Sequence, residues 1–476
     1  MAVGMIKSAS GDDKMEAAKK LLDENKPREA LERLKKILST AQEEWRIHEL
    51  IGACFHDLCD AEGAAQAYFN AATTDRFLRS QRAHFSNYLF ALHYLPQLDA
   101  PTLIHELKIY NSLYRDTVAI RNEELGIRNE KKSVAFISPN FCDSSAARFY
   151  EALLTDYDRE KFFVTAWSLS KEEDLFTKKI RRNVDKYFEI AEISFEEAAE
   201  KIRDIGTDFL IDLGGHTEGG STLQIAAYRP ARVQLCGIGY FDSTGLDATD
   251  YFIGDEFLTA HDEIFSEKIF ALKNAFAFRP NAKMIREKNS RRAFPHKNFT
   301  FGSLNNFMKL GDDYLNAVKK ILDAVPEAKI IFRDTTPLKS RQVALIERLK
   351  NFGLKNFDVR RGENNFFTDY SEIDLILDAF PYPGGMMTAL ALYMGVPVLN
   401  LCGELPHTRT GADILKISGV EELIVYDVDA YTKKAVELAK NRAKLAALTE
   451  KISVDKLTDT KNFVEDFYKL LEARTS

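Results

Sequence analysis

Three stretches of this chain set glycine beside side chains able to bind or react. Asp374 to Gly403 reads DLILDAFPYPGGMMTALALYMGVPVLNLCG. Leu375-Ile376-Leu377 is a short, unalternating apolar run, as suits a strand buried on both faces. Pro381 and Pro383 end it, Gly384-Gly385 turn the chain, and Met386 to Met394 is a helix leading to a second strand, Val396 to Leu401. Such a unit aims the bare N–H groups of a helix start at the carboxyl edge of a sheet, where a phosphate binds. Two glycines also occur in turns that bind nothing. Phe301 to Lys309, FGSLNNFMK, ends another strand and puts Asn306 and Lys309 in a loop. An ammonium there either neutralises the diphosphate that leaves when a sugar is transferred from a nucleotide, or is a solvated surface charge. In Asp212 to Thr217, DLGGHT, His216 follows two glycines, placed as a base, a substrate donor or a structural histidine. Gly237 to Gly245, GIGYFDSTG, carries Tyr240 in a loop that holds a sugar or only turns. No GxGxxG precedes a helix, and no P-loop, HExxH or metal-spaced acid pair is present, which disfavours a dehydrogenase.

The chain that must position these groups has 476 residues, too many for one core. Its formal charge of −7 argues against nucleic acid as a partner, because phosphate binding draws on an excess of Lys and Arg. No apolar run has the length of a membrane span, and MAVGMIKSASGDDK lacks the apolar centre of a signal peptide. Five scattered cysteines fit reduced thiols, and the expected location is the cytoplasm.

From Lys14 to Asp75 a helical pattern repeats. Ala17, Ala18, Leu21, Ala30, Leu34 and Ile37 recur 34 positions later as Ile51, Gly52, Phe55, Ala64, Tyr68 and Ala71. That period is the tetratricopeptide one, or else two unrelated helix pairs. Two repeats bury too little alone, so Arg76 to Asn122 should stack on them. From Ser133 short apolar runs alternate with helical segments, first up to Leu272 and again from Phe299, which gives two successive parallel α/β sheets. Ligand is then expected at the strand ends facing the cleft between them.

These residues resemble the O-GlcNAc transferase and SPINDLY-like glycosyltransferases, in a short, bacterial-type form. The resemblance is carried by Phe85 to Pro96, Ser133 to Phe141, GGHT with Arg229-Pro230-Ala231, Gly239-Tyr240, Asp250-Tyr251, Asn305 to Lys309, Leu377 to Pro397, Gly403 and Arg409. It implies a GT-B fold: residues 1–13 flexible, 14–122 tetratricopeptide-like, 132–280 an acceptor-side Rossmann-like domain, 298–446 a nucleotide-sugar domain and 447–476 a C-terminal helix. It also implies inverting transfer of GlcNAc or another hexose from a UDP-sugar to Ser/Thr hydroxyls of a protein, with no metal or other cofactor. Lys309 and His216 would be catalytic. Asn306, Phe366, Gly384, Gly385, Thr388, Arg409 and Tyr240 would bind the donor. The acceptor protein would lie along the repeats, and a homo- or hetero-oligomer is compatible. Ser144 stands where the family has a histidine, Met386 and Met387 where it has hydroxyl side chains, and Leu390 where it has a ribose-binding aspartate. Each lost charged hydrogen bond is worth roughly 1.5–3 kcal/mol. The alternative is therefore a catalytically silent member, a substrate-binding or adaptor subunit.

Overall fold

A computed structural model of the chain describes residues 11–38, 43–120, 130–290, 298–362 and 366–474. Residues 1–10 of the expected N-terminal segment lie outside these.

The helical region is three successive hairpins: α1 (Gly11–Asp23) with α2 (Pro27–Leu38), α3 (Glu44–Asp57) with α4 (Ala61–Thr74), and α5 (Leu78–Leu92) with α6 (Ala100–Ser112). The 34-residue pattern buries small residues where helices meet. Ala18, Ala30 and Ala64 are fully enclosed, and a Cβ on Gly52 would fall 2.5 Å from the Tyr68 ring. Carboxylates start two of the helices: Asp60 accepts from Gly63 N, and Asp99 from Thr102 N. α5 stacks on α4, as expected, with Phe69 and Tyr88 ring centroids 5.1 Å apart, and also packs on the first α/β unit. There Gly219 and Gly220 run at φ +66° and +61°, and a Cβ on Gly220 would strike Ser86 Oγ.

The first sheet contains β1 (Lys132–Ser138), β2 (Phe162–Ser168), β3 (Lys186–Glu189), β4 (Phe209–Asp212), β5 (Val233–Gly237), β6 (Tyr251–Asp255) and β7 (Lys268–Leu272), all parallel, in the order β3-β2-β1-β4-β5-β6-β7. The second contains β8 (Thr300–Ser303), β9 (Lys329–Arg333), β10 (Phe357–Arg360), β11 (Leu375–Leu377), β12 (Val398–Leu401) and β13 (Ile424–Val425), also parallel, in the order β10-β9-β8-β11-β12-β13. Each sheet winds outward in both directions from a central pair, β1/β4 and β8/β11. The crevice beyond such a pair is where ligands of doubly wound sheets bind.

The expected architecture holds, with local differences. β3, KYFE, is a partly exposed edge strand too polar to read as a core strand. Pro406–Ile417 is a buried helix that the sequence reading did not identify. Asn441 separates the helices Val428–Lys440 and Arg442–Glu450, and its side chain caps the second by accepting from Lys444 N. Instead of one helix, the C-terminal stretch holds Arg442–Glu450, Val454–Leu457 and Thr460–Ala473. The last crosses back to the first sheet, where Tyr468 Oη donates to Leu153 O at 2.7 Å and Phe467 stacks near Phe136. No described helix is long and apolar enough to cross a membrane.

Candidate active site

Two turns meet at the β8/β11 switch point. After β8, Asn306 caps a single 3-10 turn over Phe307–Lys309, its Oδ1 accepting from Met308 N at 2.9 Å. With Oδ1 occupied, the amide nitrogen is the donating end. The turn delivers Lys309, whose Nζ donates to Pro383 O at 2.6 Å and lies 3.8 Å over the Tyr382 ring. One of its three protons is used by that carbonyl. Burial pulls this amine down to about 8, with the Asp378 carboxylate opposing the shift.

After β11, the fully buried Asp378 shapes the proline–glycine turn. Its Oδ1 accepts from Asn305 Nδ2, Ala379 N and Gly384 N, and its Oδ2 from Thr388 Oγ1 and Asn400 Nδ2, all at 2.8–3.0 Å. Desolvation raises its pKa against the hydrogen bonds from Gly384, Thr388, Asn305 and Asn400. Gly384 is required because a Cβ would lie 2.6 Å from Thr388 Oγ1. Gly385 caps the helix Met386–Tyr393, whose first N–H groups have no partner within the helix.

A cavity of about 240 Å³ opens over both turns, lined by Asn306, Lys309, Gly384 and Gly385 from the second unit and by Thr217, Phe149 and Phe241 from the first, with Phe90 from α5. A larger one of about 650 Å³ adjoins it, lined by Phe366, Arg333, Asp334, Gly362 and Lys283. Ser145, Thr335, Met386 and Met387 border both, so the half-buried methionines stand between the two spaces. Phe366, stacked on Phe367 with centroids 4.2 Å apart, offers a ring face in the larger one.

Of the sequence candidates, Lys309, Asn306, Gly384 and Gly385 thus come together, and Phe366 lies next door. Four others do not join them. His216 is sealed in the interior. Its Nε2 lies 2.9 Å from Thr244 O, which only accepts, so that nitrogen carries the proton and Nδ1 receives the Ser86 hydroxyl at 2.9 Å. Burial takes its pKa down to about 4. Neither nitrogen is left for a substrate, and the structural alternative describes it. Tyr240 packs behind the wall against His216 and His93, while its neighbours Gly239 and Phe241 line the cavity. Arg409 ties the two units together, donating from Nε to Phe257 O and from Nη1 to Gly403 O. Thr388 gives its only hydroxyl proton to Asp378. Leu390 is wholly within the core. Ser145, and not Ser144, borders the cavities.

The sequence reading also missed a buried cluster behind Tyr382. His407 Nδ1 donates to Asp242 Oδ2 at 2.7 Å, and His93 Nε2 is 3.6 Å from the same oxygen. The three come from the C-terminal cap of α5, the first α/β unit and the second, so no spacing along the chain announces them. Burial takes His407 down to about 3 and raises Asp242 to about 6. These ligand-type atoms lie within 4.8 Å of one another. The imidazoles, however, stack with centroids 4.3 Å apart and planes inclined by 28°. Nearly parallel rings cannot both aim in-plane lone pairs at one ion about 2.0–2.1 Å away. The arrangement is a hydrogen-bonded joint between three parts of the chain.

Two doubly wound parallel sheets facing across a crevice, with a final helix returning to the first, define a GT-B glycosyltransferase fold. The chain belongs to glycosyl transferase family 41, whose model matches residues 108–345. A tomato (Solanum lycopersicum) protein named a probable UDP-N-acetylglucosamine–peptide N-acetylglucosaminyltransferase SPINDLY is 29% identical over 363 residues, 72% of this chain and 39% of that protein. The Arabidopsis thaliana protein of the same name is 30% identical over 66% of this chain and 36% of its own length. The chain thus spans under half the length of these curated relatives. A mutant O-GlcNAc transferase of Thermobaculum terrenum superposes with a TM-score of 0.77 at 21% identity, covering 98% of each chain, and so shares the whole fold.

Proposed function

We propose that the chain is a UDP-sugar-dependent protein O-glycosyltransferase that moves GlcNAc or another hexose to Ser/Thr hydroxyls with inversion. The observation carrying this reading is the Lys309 ammonium at the rim of a cavity that also receives the start of the helix after Gly385. As the sugar–phosphate bond breaks, charge grows on the diphosphate. A preorganised ammonium beside bare helix N–H groups stabilises that charge where it develops. Lys309 takes the part a divalent cation plays elsewhere, and Asn306 donates to the same phosphates through its amide nitrogen. Phe366 gives the uracil a ring to stack on. The acceptor protein approaches along the helical hairpins, and the chain works in the cytoplasm. The test is Lys309→Ala, expected to lower transfer from UDP-GlcNAc to a Ser/Thr-containing acceptor by at least about 100-fold with an unchanged circular dichroism spectrum. Undiminished transfer would remove Lys309 from the mechanism.

A second reading, a silent member acting as a substrate-binding or adaptor subunit, is favoured by one observation. Among the described residues lining the 240 Å³ cavity there is no carboxylate and no imidazole, and two methionines stand where the family has hydroxyls. It is supported if calorimetry finds no UDP binding at millimolar ligand, and UDP binding that Lys309→Ala abolishes sinks it.

A further inference from the structure

Arg341, on the helix Lys339–Asn351 of the second unit, is completely buried and lines neither of the two cavities. A guanidinium cannot shed its charge, so burying it demands partners for its fork of donors. Those partners are specific. Nη2 donates to Asn306 Oδ1 at 2.5 Å, Nη1 donates to Thr336 Oγ1 at 3.1 Å, and Nε lies 3.4 Å from Cys59 Sγ and 3.6 Å from Asp334 Oδ2. Asp334 Oδ1 in turn accepts from Phe307 N at 3.4 Å. The charge therefore grips the Asn306–Lys309 turn twice, directly through Asn306 and through Asp334 to Phe307.

Cys59 comes from the helical region, in the tight link between α3 and α4, at φ +59°. Its carbonyl also accepts from Arg348 Nη1. The helical hairpins thus close the back of the guanidinium, and by this route Cys59 is two side chains from the Lys309 turn.

We propose that Arg341 is a positioning residue for the donor turn: it fixes the Asn306 amide so that its nitrogen faces the cavity, and the helical region completes the fixation through Cys59. The inference rests on the UDP-sugar reading for the ligand, but not for the local order of the turn. Because Asn306 Oδ1 is shared between Arg341 and Met308 N, loss of the guanidinium frees the amide to rotate and present its oxygen to an anion.

The experiment uses the full chain. Arg341→Lys keeps a positive charge beside Asp334 but cannot reach Thr336 and Asn306 together. UDP is titrated calorimetrically into wild type, Arg341→Lys, Asn306→Ala and the double variant. Hydrogen exchange is followed over residues 304–311 and over β2 as a remote control. Expected are an approximately tenfold rise in Kd for Arg341→Lys, no further rise when it is added to Asn306→Ala, and faster exchange confined to 304–311. Cys59→Ala should reproduce the exchange change with a rise of about threefold. Additive effects in the double variant, or unaltered exchange over the turn, overturn the positioning role. An unaltered Cys59→Ala overturns the part assigned to the helical region. Absence of UDP binding by wild type, with the exchange changes present, overturns the donor reading instead.

Discussion

Each sheet carries an Asp–Gly–Gly turn at its switch point, and the two turns do opposite things. In the first, Asp212 closes β4 and its Oδ1 accepts from Gly214 N at 2.7 Å and Gly215 N at 3.2 Å. In the second, Asp378 follows β11 and gathers five donors across the proline–glycine stretch. Both carboxyls are raised by burial, Asp212 to about 6. The first turn ends in His216, whose two nitrogens are already satisfied inside the protein. The second ends in a bare helix start beside an ammonium with protons left to give. Sequence likeness between turns says little about chemistry. What separates a site from a joint is whether the polar atoms still lack partners when the chain has folded.

The strongest way to break the comparison is at the carboxylates. Asp378→Ala strands Asn305, Asn400, Thr388 and Gly384 N in a dry interior. It should cost roughly 3–5 kcal/mol of stability and abolish UDP binding, read by denaturant melts and calorimetry. His216→Phe comes next. It removes a donor from Thr244 O and an acceptor from Ser86, at roughly 2 kcal/mol, and should leave UDP affinity within about twofold of wild type. A loss of affinity as large as that of Lys309→Ala would return His216 to the site.

Much of this was legible. Short apolar runs of a parallel sheet are told from helices by length and flanking glycine or proline, so both sheets could be read, and the Lys309 and Gly384-Gly385 turns with them. What escaped depends on which way a side chain turns once its strand ends. His216, Tyr240 and Arg409 sit in motifs that reach the cleft region, yet a neighbour one residue away, such as Phe241 beside Tyr240, can face the cavity instead. Thr388 has the right residue type in the right turn, and its proton is spent on a carboxylate ten positions earlier. The His93–Asp242–His407 joint and the Arg341–Asn306 grip link distant elements, which periodicity cannot see.

A milder test changes only protonation. Lys309 holds its proton below about pH 8 when folded, and near 10.5 when exposed. UDP affinity should therefore fall only about twofold from pH 7 to 8 and by up to about tenfold per unit well above it. Between the two values the unfolded chain binds the extra proton, so this group's contribution to stability rises with pH while affinity falls. Opposite trends in calorimetric affinity and thermal midpoint, both absent in Lys309→Ala, are the signature. His216, already neutral, contributes no such trend to affinity in this range.

The smallest expected effect concerns the two methionines. Met386 and Met387 occupy the first turn of the helix after Gly385, half-buried between the cavities. Threonine is acceptable at a helix start, since side-chain oxygens serve orphan N–H groups there. The double change Met386→Thr with Met387→Thr should therefore fold. It removes two flexible thioethers from the passage between the Lys309 cavity and the Phe366 cavity and offers hydroxyl donors where Thr388 has none to spare. A neutral hydrogen bond nets about 1 kcal/mol, so UDP should bind roughly three- to tenfold tighter. If affinity instead falls, the methionines are themselves a contact surface for the donor, and the second turn was built for a less polar ligand face than hydroxyls would provide.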